Sequence, residues 1–438
     1  MPNLVLTPQQ GMARYLNDLR VVHPSDDRVV CTPTLFATVY FENGDQPQVR
    51  QQLLDCFNKF DEMFGAYLKG GRVAGGKYSK KTVAGIEAMR NRILMARSEE
   101  GVELARSDVV DQYTAPEYVW ELFVVGAFGV LGNGGMLSYV KFALPWELAV
   151  FPEDLAPYHQ YLQFVCQTLP VRAGYGGLMP SLPWDYHRYM LLEYELAKRF
   201  SGLEIDSTAH LETDTYRILS VERKPGLPAD DGIYRPEDWL RYTYLKPGAE
   251  VRSVGYLRSV NWYTILGEPF VQRLGGEAAL RAKLDRPDIA VQRWGQCVAV
   301  RAGDFPRLGA PEEGLIEPYA FVNRAVRNLR NPEQGSLHTY IPDAESADTA
   351  FTRQWVARFD YPGDGPITPF DPQAAVPVAS STEPSLSALP GQPCPKAGLW
   401  YAPHLRMREV RMELDELMPG VGERGVTGAV TWYYKGLG

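Results

Sequence analysis

The residues able to do chemistry fall into a few small sets. Six histidines, His23, His159, His187, His210, His338 and His404, are candidate bases or metal ligands. None stands beside a carboxylate at a catalytic or metal-binding spacing, and a spatial triad would be set by geometry rather than sequence. His187 sits between tyrosines on a helical pattern, which suits half-buried packing. Five cysteines, Cys31, Cys56, Cys166, Cys297 and Cys394, are scattered and odd in number. That argues against a disulfide framework or zinc site. Gly71 to Tyr78, GRVAGGKY, approaches the phosphate-cradling loop G-x-x-x-x-G-K-[ST]. Tyr78 replaces the magnesium-binding hydroxyl, and the preceding pattern is helical where the motif needs a strand. A flexible basic connector is the simpler reading. Gly420 to Gly425 fits G-x-G-x-x-G but leaves no room for the helix that would hold a pyrophosphate, so it reads as a turn. No catalytic residue, metal site or cofactor is expected.

Charge is more informative. The formal net charge is −8, against a nucleic-acid-binding surface and in favour of a basic partner. From Glu204 to Asp238 nine acids face four bases, a net of −5 within one stretch. Such a run reads as a solvated insertion or a binding loop. At 438 residues, 45% of them hydrophobic, the chain can bury a large core. The N-terminus lacks the basic start and apolar core of a signal peptide. The longest apolar run, Leu122 to Leu131, is too short for a bilayer. No membrane contact and a cytoplasmic location are expected.

The elements that must position these residues follow from periodicity. Residues 28–41 read as a β segment, with Pro33 favouring an edge or bulge. Val49 to Leu68 has the clearest helical stripe: Val49, Leu53, Phe57, Phe60, Phe64 and Tyr67. Gly70-Gly71 stops it, and 80–97 suits another helix. Apolar runs 117–132 and 136–144 flank Asn133-Gly134, a hairpin signal. A helix is expected over 152–169, a strand over 171–179 and a helix over 185–200. Val254 to Val260 reads as a strand ended by Asn261-Trp262. Leu266 to Leu284 is a helix broken at Gly275-Gly276. Short strands at 289–292 and 297–301 flank Trp294-Gly295, and Leu315 to Arg330 has helical spacing. Arg324, Arg327 and Arg330 suit that helix's C-terminal dipole.

The fold class is therefore α+β, with antiparallel-rich mixed sheets and helices on one face. The repeated element order suggests two tandem split-βαβ units. The divisions are an N-terminal half (1–170), a second half (171–358), a proline-rich linker (359–395) and a small C-terminal β module (396–438).

SVNWYTILG, then LGG, then AGDFPRLG and a helix ending NLR resemble the immunity family paired with VRR-NUC-type, restriction-endonuclease-like effectors of the type VI secretion system. GYGGLMPS followed by HRYMLLEYELAKRFSGLEID is similar to that family too, so the likeness runs from about Tyr118 to Arg330. It implies a cytoplasmic inhibitor of a cognate secreted nuclease toxin, with no nucleic acid bound directly, no cofactor and no set oligomeric state. Toxin contact is then expected at acidic loops: Glu212, Asp214, Asp230 and Asp231 in the insertion, and Glu312 and Glu313 before the last helix. Trp262 is a candidate contact as well, although aromatics beside strand ends also cap cores. Two other classes compete: a hydrolase whose site assembles from distant residues, and a secretion-system adaptor built around the linker. An immunity gene would lie beside a gene for a basic nuclease toxin. A hydrolase gene need not, and an adaptor gene would sit among structural genes.

Overall fold

The two longest β runs in the sequence become the middle of the sheet. The computed structural model describes residues 8–73, 76–97, 100–125, 137–149, 152–205, 221–222, 244–245, 256–330, 337, 347–367, 387–389, 392–402, 408–418 and 432–436. In chain order the strands are β1 (Val21–Val22), β2 (Val29–Phe41), β3 (Gly70–Val73), β4 (Ser79–Lys80), β5 (Val102–Ser107), β6 (Val119–Val124), β7 (Ser138–Pro145) and β8 (Val171–Ser181). Then come β9 (Val221–Glu222), β10 (Tyr244–Leu245), β11 (Tyr263–Gly267), β12 (Ile289–Trp294) and β13 (Cys297–Ala302). The helices are α1 (Pro8–Leu19), α2 (Pro47–Phe64), α3 (Val83–Met95), α4 (Ala156–Thr168), α5 (Met190–Arg199), α6 (Glu268–Arg273), α7 (Gly276–Lys283), α8 (Glu317–Val326) and α9 (Thr349–Val356).

One 11-stranded sheet runs β12-β13-β11-β8-β2-β7-β6-β5-β3-β4, with β1 added to β2. Every pairing in it is antiparallel. β2 and β8 are buried along nearly their whole length, as continuous apolar runs should be. They pair from Thr32↔Ser181 to Tyr40↔Ala173, so the two expected halves share one sheet. The edge position expected for the Pro33 segment is therefore corrected: β2 is central. Pro33 faces Pro180, one residue before β7 pairing begins at Thr34↔Pro145, so it stands where that ladder has ended.

The β2 alternation splits the core. Leu35, Ala37, Val39 and Phe41 join the main cluster with α2, α4 and α8. Phe36 and Tyr40 point the other way, into a smaller cluster with Tyr139, Tyr175 and Met179. α2 buries Val49, Leu53, Phe57, Phe60 and Phe64 of the stripe read from the sequence, and Cys56 beside them. Full burial of each Leu or Phe side chain contributes roughly 2–3 kcal/mol. Tyr67, the last residue of that stripe, lies beyond the helix and is 52% exposed.

The second half contains a split βαβ unit: β11, then α6 and α7, then β12, with β13 between the two strands. In the first half the crossover β2–α2–β3 skips β7, β6 and β5. The helix stop expected at Gly70-Gly71 is corrected: α2 ends at Phe64, capped by Gly65, and Gly70-Gly71 opens β3, paired with β5, where a flexible connector was expected. The strand expected over 254–260 is displaced. Leu257 makes only an isolated bridge to Arg330, and the strand begins at Tyr263. The Asn133-Gly134 turn lies outside the described residues, while the β6–β7 pair it was expected to join is present.

The chain divides into two units. The larger runs to Ala375 except for 220–223 and 244–250. The smaller contains those two pieces and Val376–Gly438. Within it β9 pairs β10, and β14 (Ser387–Ala388), β15 (Gly398–Ala402), β16 (Arg408–Met412) and β17 (Trp432–Gly436) form a sheet in the order β14-β17-β15-β16. Trp400 is buried there and donates its indole N–H to the Lys396 carbonyl at 3.0 Å. Gly420 to Gly425 lies outside the described residues.

The larger unit is tied down beyond Arg358. Asn323 donates to the Phe359 carbonyl at 3.1 Å and to Asp360 at 2.7 Å. Arg327 reaches the Gly365 carbonyl at 2.7 Å. After that point the sequence is rich in proline, alanine, serine and threonine. Limited proteolysis should therefore cut first between Gly365 and Pro395. A first cut between β11 and β13, read by mass spectrometry, would contradict this map.

Candidate functional site

The resemblance-bearing residues converge on a buried polar hub. Glu204 follows α5 and is 1% exposed. It accepts from Arg258 Nη2 at 2.8 Å and from Asn261 Nδ2 at 2.8 Å, and Arg358 Nη2 lies 3.7 Å away. Arg358 donates to the Ser201 carbonyl at 2.7 Å and to the Ser259 hydroxyl at 2.9 Å, and stacks on Trp355 at 3.6 Å. Burial pushes its pKa down to about 9, against the attraction of Glu204. The glycines of GYGG make room for this. A Cβ on Gly177 would lie 2.0 Å from Asn261 Oδ1, and one on Gly176 would lie 2.2 Å from the Tyr158 hydroxyl. That hydroxyl donates to the Phe36 carbonyl at 2.7 Å, tying α4 to the central strand. A second cluster closes the C-terminal side. Arg330 donates to Asp360 at 2.7 Å and to the Val356 carbonyl at 2.6 Å. Burial alone would raise the Asp360 pKa, but the hydrogen bonds and charges of Arg330, Asn323 and Arg327 hold it below the ordinary value.

Trp262 is corrected as a surface contact. It is fully buried, stacks on Tyr158 at 5.6 Å and donates to the Gly303 carbonyl at 3.0 Å. Its ring is worth more inside a core with a satisfied N–H than on a wet surface. Glu313 is engaged within its own turn: it accepts from Arg307 at 2.7 Å and from the Ala310 amide at 3.2 Å. Glu312 accepts the Tyr15 hydroxyl proton and faces Arg14 at 3.4 Å, with its side chain 49% exposed. The Tyr15 bond is the chief cause holding its pKa below the ordinary value. Glu212, Asp214, Asp230 and Asp231 lie outside the described residues. Glu204, counted with them by sequence, belongs to the core.

Among the histidines, His159 has the clearest environment. Its Nδ1 lies 2.9 Å from the Tyr263 hydroxyl. Burial, then the Arg301 charge, push its pKa down to about 4. Such a histidine is neutral at physiological pH and holds Tyr263 in place. His187 is exposed, correcting the packing expected for it. His210, His338 and His404 lie outside the described residues. Among the described residues no three or more of His, Cys, Asp and Glu are grouped to hold a metal ion, and no helix is long and apolar enough to cross a membrane.

One surface feature escaped the sequence reading, the loop from Asp108 to Tyr118 between β5 and β6. Its available signal was local: Asp108 and Asp111 are residues that bond nearby backbone amides in turns. Asp111 accepts from the Tyr113 amide at 2.8 Å and the Thr114 amide at 2.9 Å.

These motif residues build a buried scaffold. The chain belongs to the family described as type VI immunity for VRR-NUC, whose model matches residues 52–222 and 248–359, more than half of the chain. The match reaches upstream of the Tyr118 start read from motifs. It leaves residues 223–247 unmatched, which takes in the second half of the acidic stretch, Asp230 and Asp231 included. No curated protein matches. A solved structure, the Pseudomonas aeruginosa T6SS protein PA0821, shares the fold at a TM-score of 0.59 and 21% identity, over 81% of this chain and 91% of that one.

Proposed function

We propose that this protein neutralises a VRR-NUC-type nuclease effector of a type VI secretion system by binding it in the cytoplasm and blocking its active site. The family match carries this reading. A nuclease needs basic residues for phosphates and carboxylates for metal, so an inhibitor with a net charge of −8 is electrostatically suited to cover it. Inhibition of this kind uses no catalytic residue or cofactor. The proposed steering contacts are Glu212, Asp214, Asp230 and Asp231, with half-exposed Glu312 at the rim. Asp230 and Asp231 fall in the segment where this chain departs from the family model, which is where contacts particular to its own partner belong.

The direct test is survival of cells expressing the cognate nuclease with and without this protein, together with binding of the purified pair. Asp230→Lys with Asp231→Lys should slow association about tenfold at low salt and weaken its salt dependence, because rim charges act mainly on the on-rate. Association rates unchanged at both low and high salt would remove these residues from the encounter surface.

A further inference from the structure

Hairpin loops usually need about two to five residues. The loop between β5 and β6 spends eleven, from Asp108 to Tyr118. Its length is not slack. Asp108 accepts the amides of Glu117 at 3.1 Å and Tyr118 at 3.2 Å. Asp111 accepts two more amides and the Thr114 hydroxyl at 3.1 Å. The Arg28 guanidinium sits 5.5 Å over the Tyr113 ring. Just past α2, Tyr67 lies flat on Tyr118, with ring centroids 4.4 Å apart and planes 4° from parallel.

The surface so fixed is apolar where it meets solvent. Tyr67 is 52% exposed, Val110 42% and Tyr113 43%. Folding does not bury these side chains, yet seven polar contacts and ring stacks hold their supports in place. Asp108 and Asp111 are spent on amides and a hydroxyl, and among the described residues neither has a cation paired to it. The patch therefore presents tyrosine rings beside two aspartates with no cation paired to them, while Glu117 of the same loop is paired with Arg20 at 2.9 Å and Arg28 covers one face of Tyr113.

We propose that this loop and Tyr67 form the docking platform for the basic nuclease partner, a proposal that rests on the immunity reading above. Tyrosine offers large contact area at low entropic cost, and such residues dominate the energetics of protein interfaces. A loop already held by its own hydrogen bonds avoids the ordering cost of binding. Arginine and lysine side chains of the partner stack on the open tyrosine faces and meet Asp111. The acidic stretch then speeds encounter, while this platform sets how long the complex lasts.

The probe is the purified, catalytically inactivated nuclease encoded beside this protein, passed over the immobilised full-length chain. Tyr67→Ala with Tyr113→Ala should raise the dissociation rate by about tenfold or more while leaving the association rate within about twofold, as loss of two interface anchors does. Val110→Ser alone alters an exposed side chain that makes none of these contacts, so it reports even if the first variant misfolds, and the same direction of change is expected. Unaltered dissociation in a folded variant of either kind overturns the platform and leaves the immunity reading standing. Failure of the unaltered protein to bind the nuclease overturns both.

Discussion

Replacing Glu204 by alanine is expected to lower the unfolding free energy by about 3–5 kcal/mol, the range for breaking a buried ion pair from one side. Two buried guanidiniums lose their counter-charge: Arg258, hydrogen-bonded at 2.8 Å, and Arg358, at 3.7 Å. Asn261 loses an acceptor at 2.8 Å. None of these groups has solvent to fall back on, since Arg258 is 3% and Asn261 1% exposed. Glu204→Gln keeps the shape and one acceptor but not the charge, so most of the loss should persist. Glu204→Leu combined with Arg258→Met should lose less than the two single changes summed, by about 1–3 kcal/mol, because partners in one network couple. Urea unfolding with an unchanged m-value is the measurement. A loss below about 1 kcal/mol for Glu204→Ala would mean that water reaches this cluster and that the hub does not hold the body together.

The second large effect is a loss of stability in acid, traced to His159. Its pKa is about 4 in the folded chain against an ordinary value near 6.5. The folded value is the lower one, so between these two pH values the unfolded chain binds more protons. Stability from this group is therefore full above about pH 6.5 and falls as pH drops towards 4. The difference corresponds to roughly 3 kcal/mol, reduced to about 2 kcal/mol because the ring keeps some solvent contact. His159→Gln retains a hydrogen-bonding group for Tyr263 but does not titrate. Between pH 7 and pH 4.5 the unaltered protein should lose about 2 kcal/mol more than this variant. Equal losses in the two proteins would assign the acid sensitivity to other groups.

Much of the architecture was legible in local pattern. The α2 stripe, the break at Gly275-Gly276, the paired strands either side of Trp294-Gly295 and the α8 helix follow from spacings of two, three and four residues. By contrast, α9 follows what was expected to be the last helix and was not read from the sequence. These features depend on neighbours within a turn or two, so the chain states them directly. The α+β class and the family follow from the same stretches. By itself the sequence also determined the charge asymmetry, because formal charge needs no coordinates.

Partner choice was decided only by the tertiary structure. Nothing local says that the proline-bearing β2 is the centre of an eleven-stranded sheet, or that β8 pairs along it. Strand order is set by which apolar faces can be covered together, a property of the whole chain. Trp262 read more as a core cap than a contact from its place beside a strand end, and the stacking of Tyr158 across a sequence gap of about a hundred residues put it inside. Glu204 carried the same formal charge as the acids after it, yet Arg258, 54 residues away, drew it into the interior. Nothing in the sequence pattern singled out the loop at 108–118, whose aspartates bond amides and leave Tyr113 exposed. A residue's type fixes what it can donate, accept or bury. Whether it meets a partner or the solvent depends on contacts distant in sequence, and those form only when the chain closes on itself.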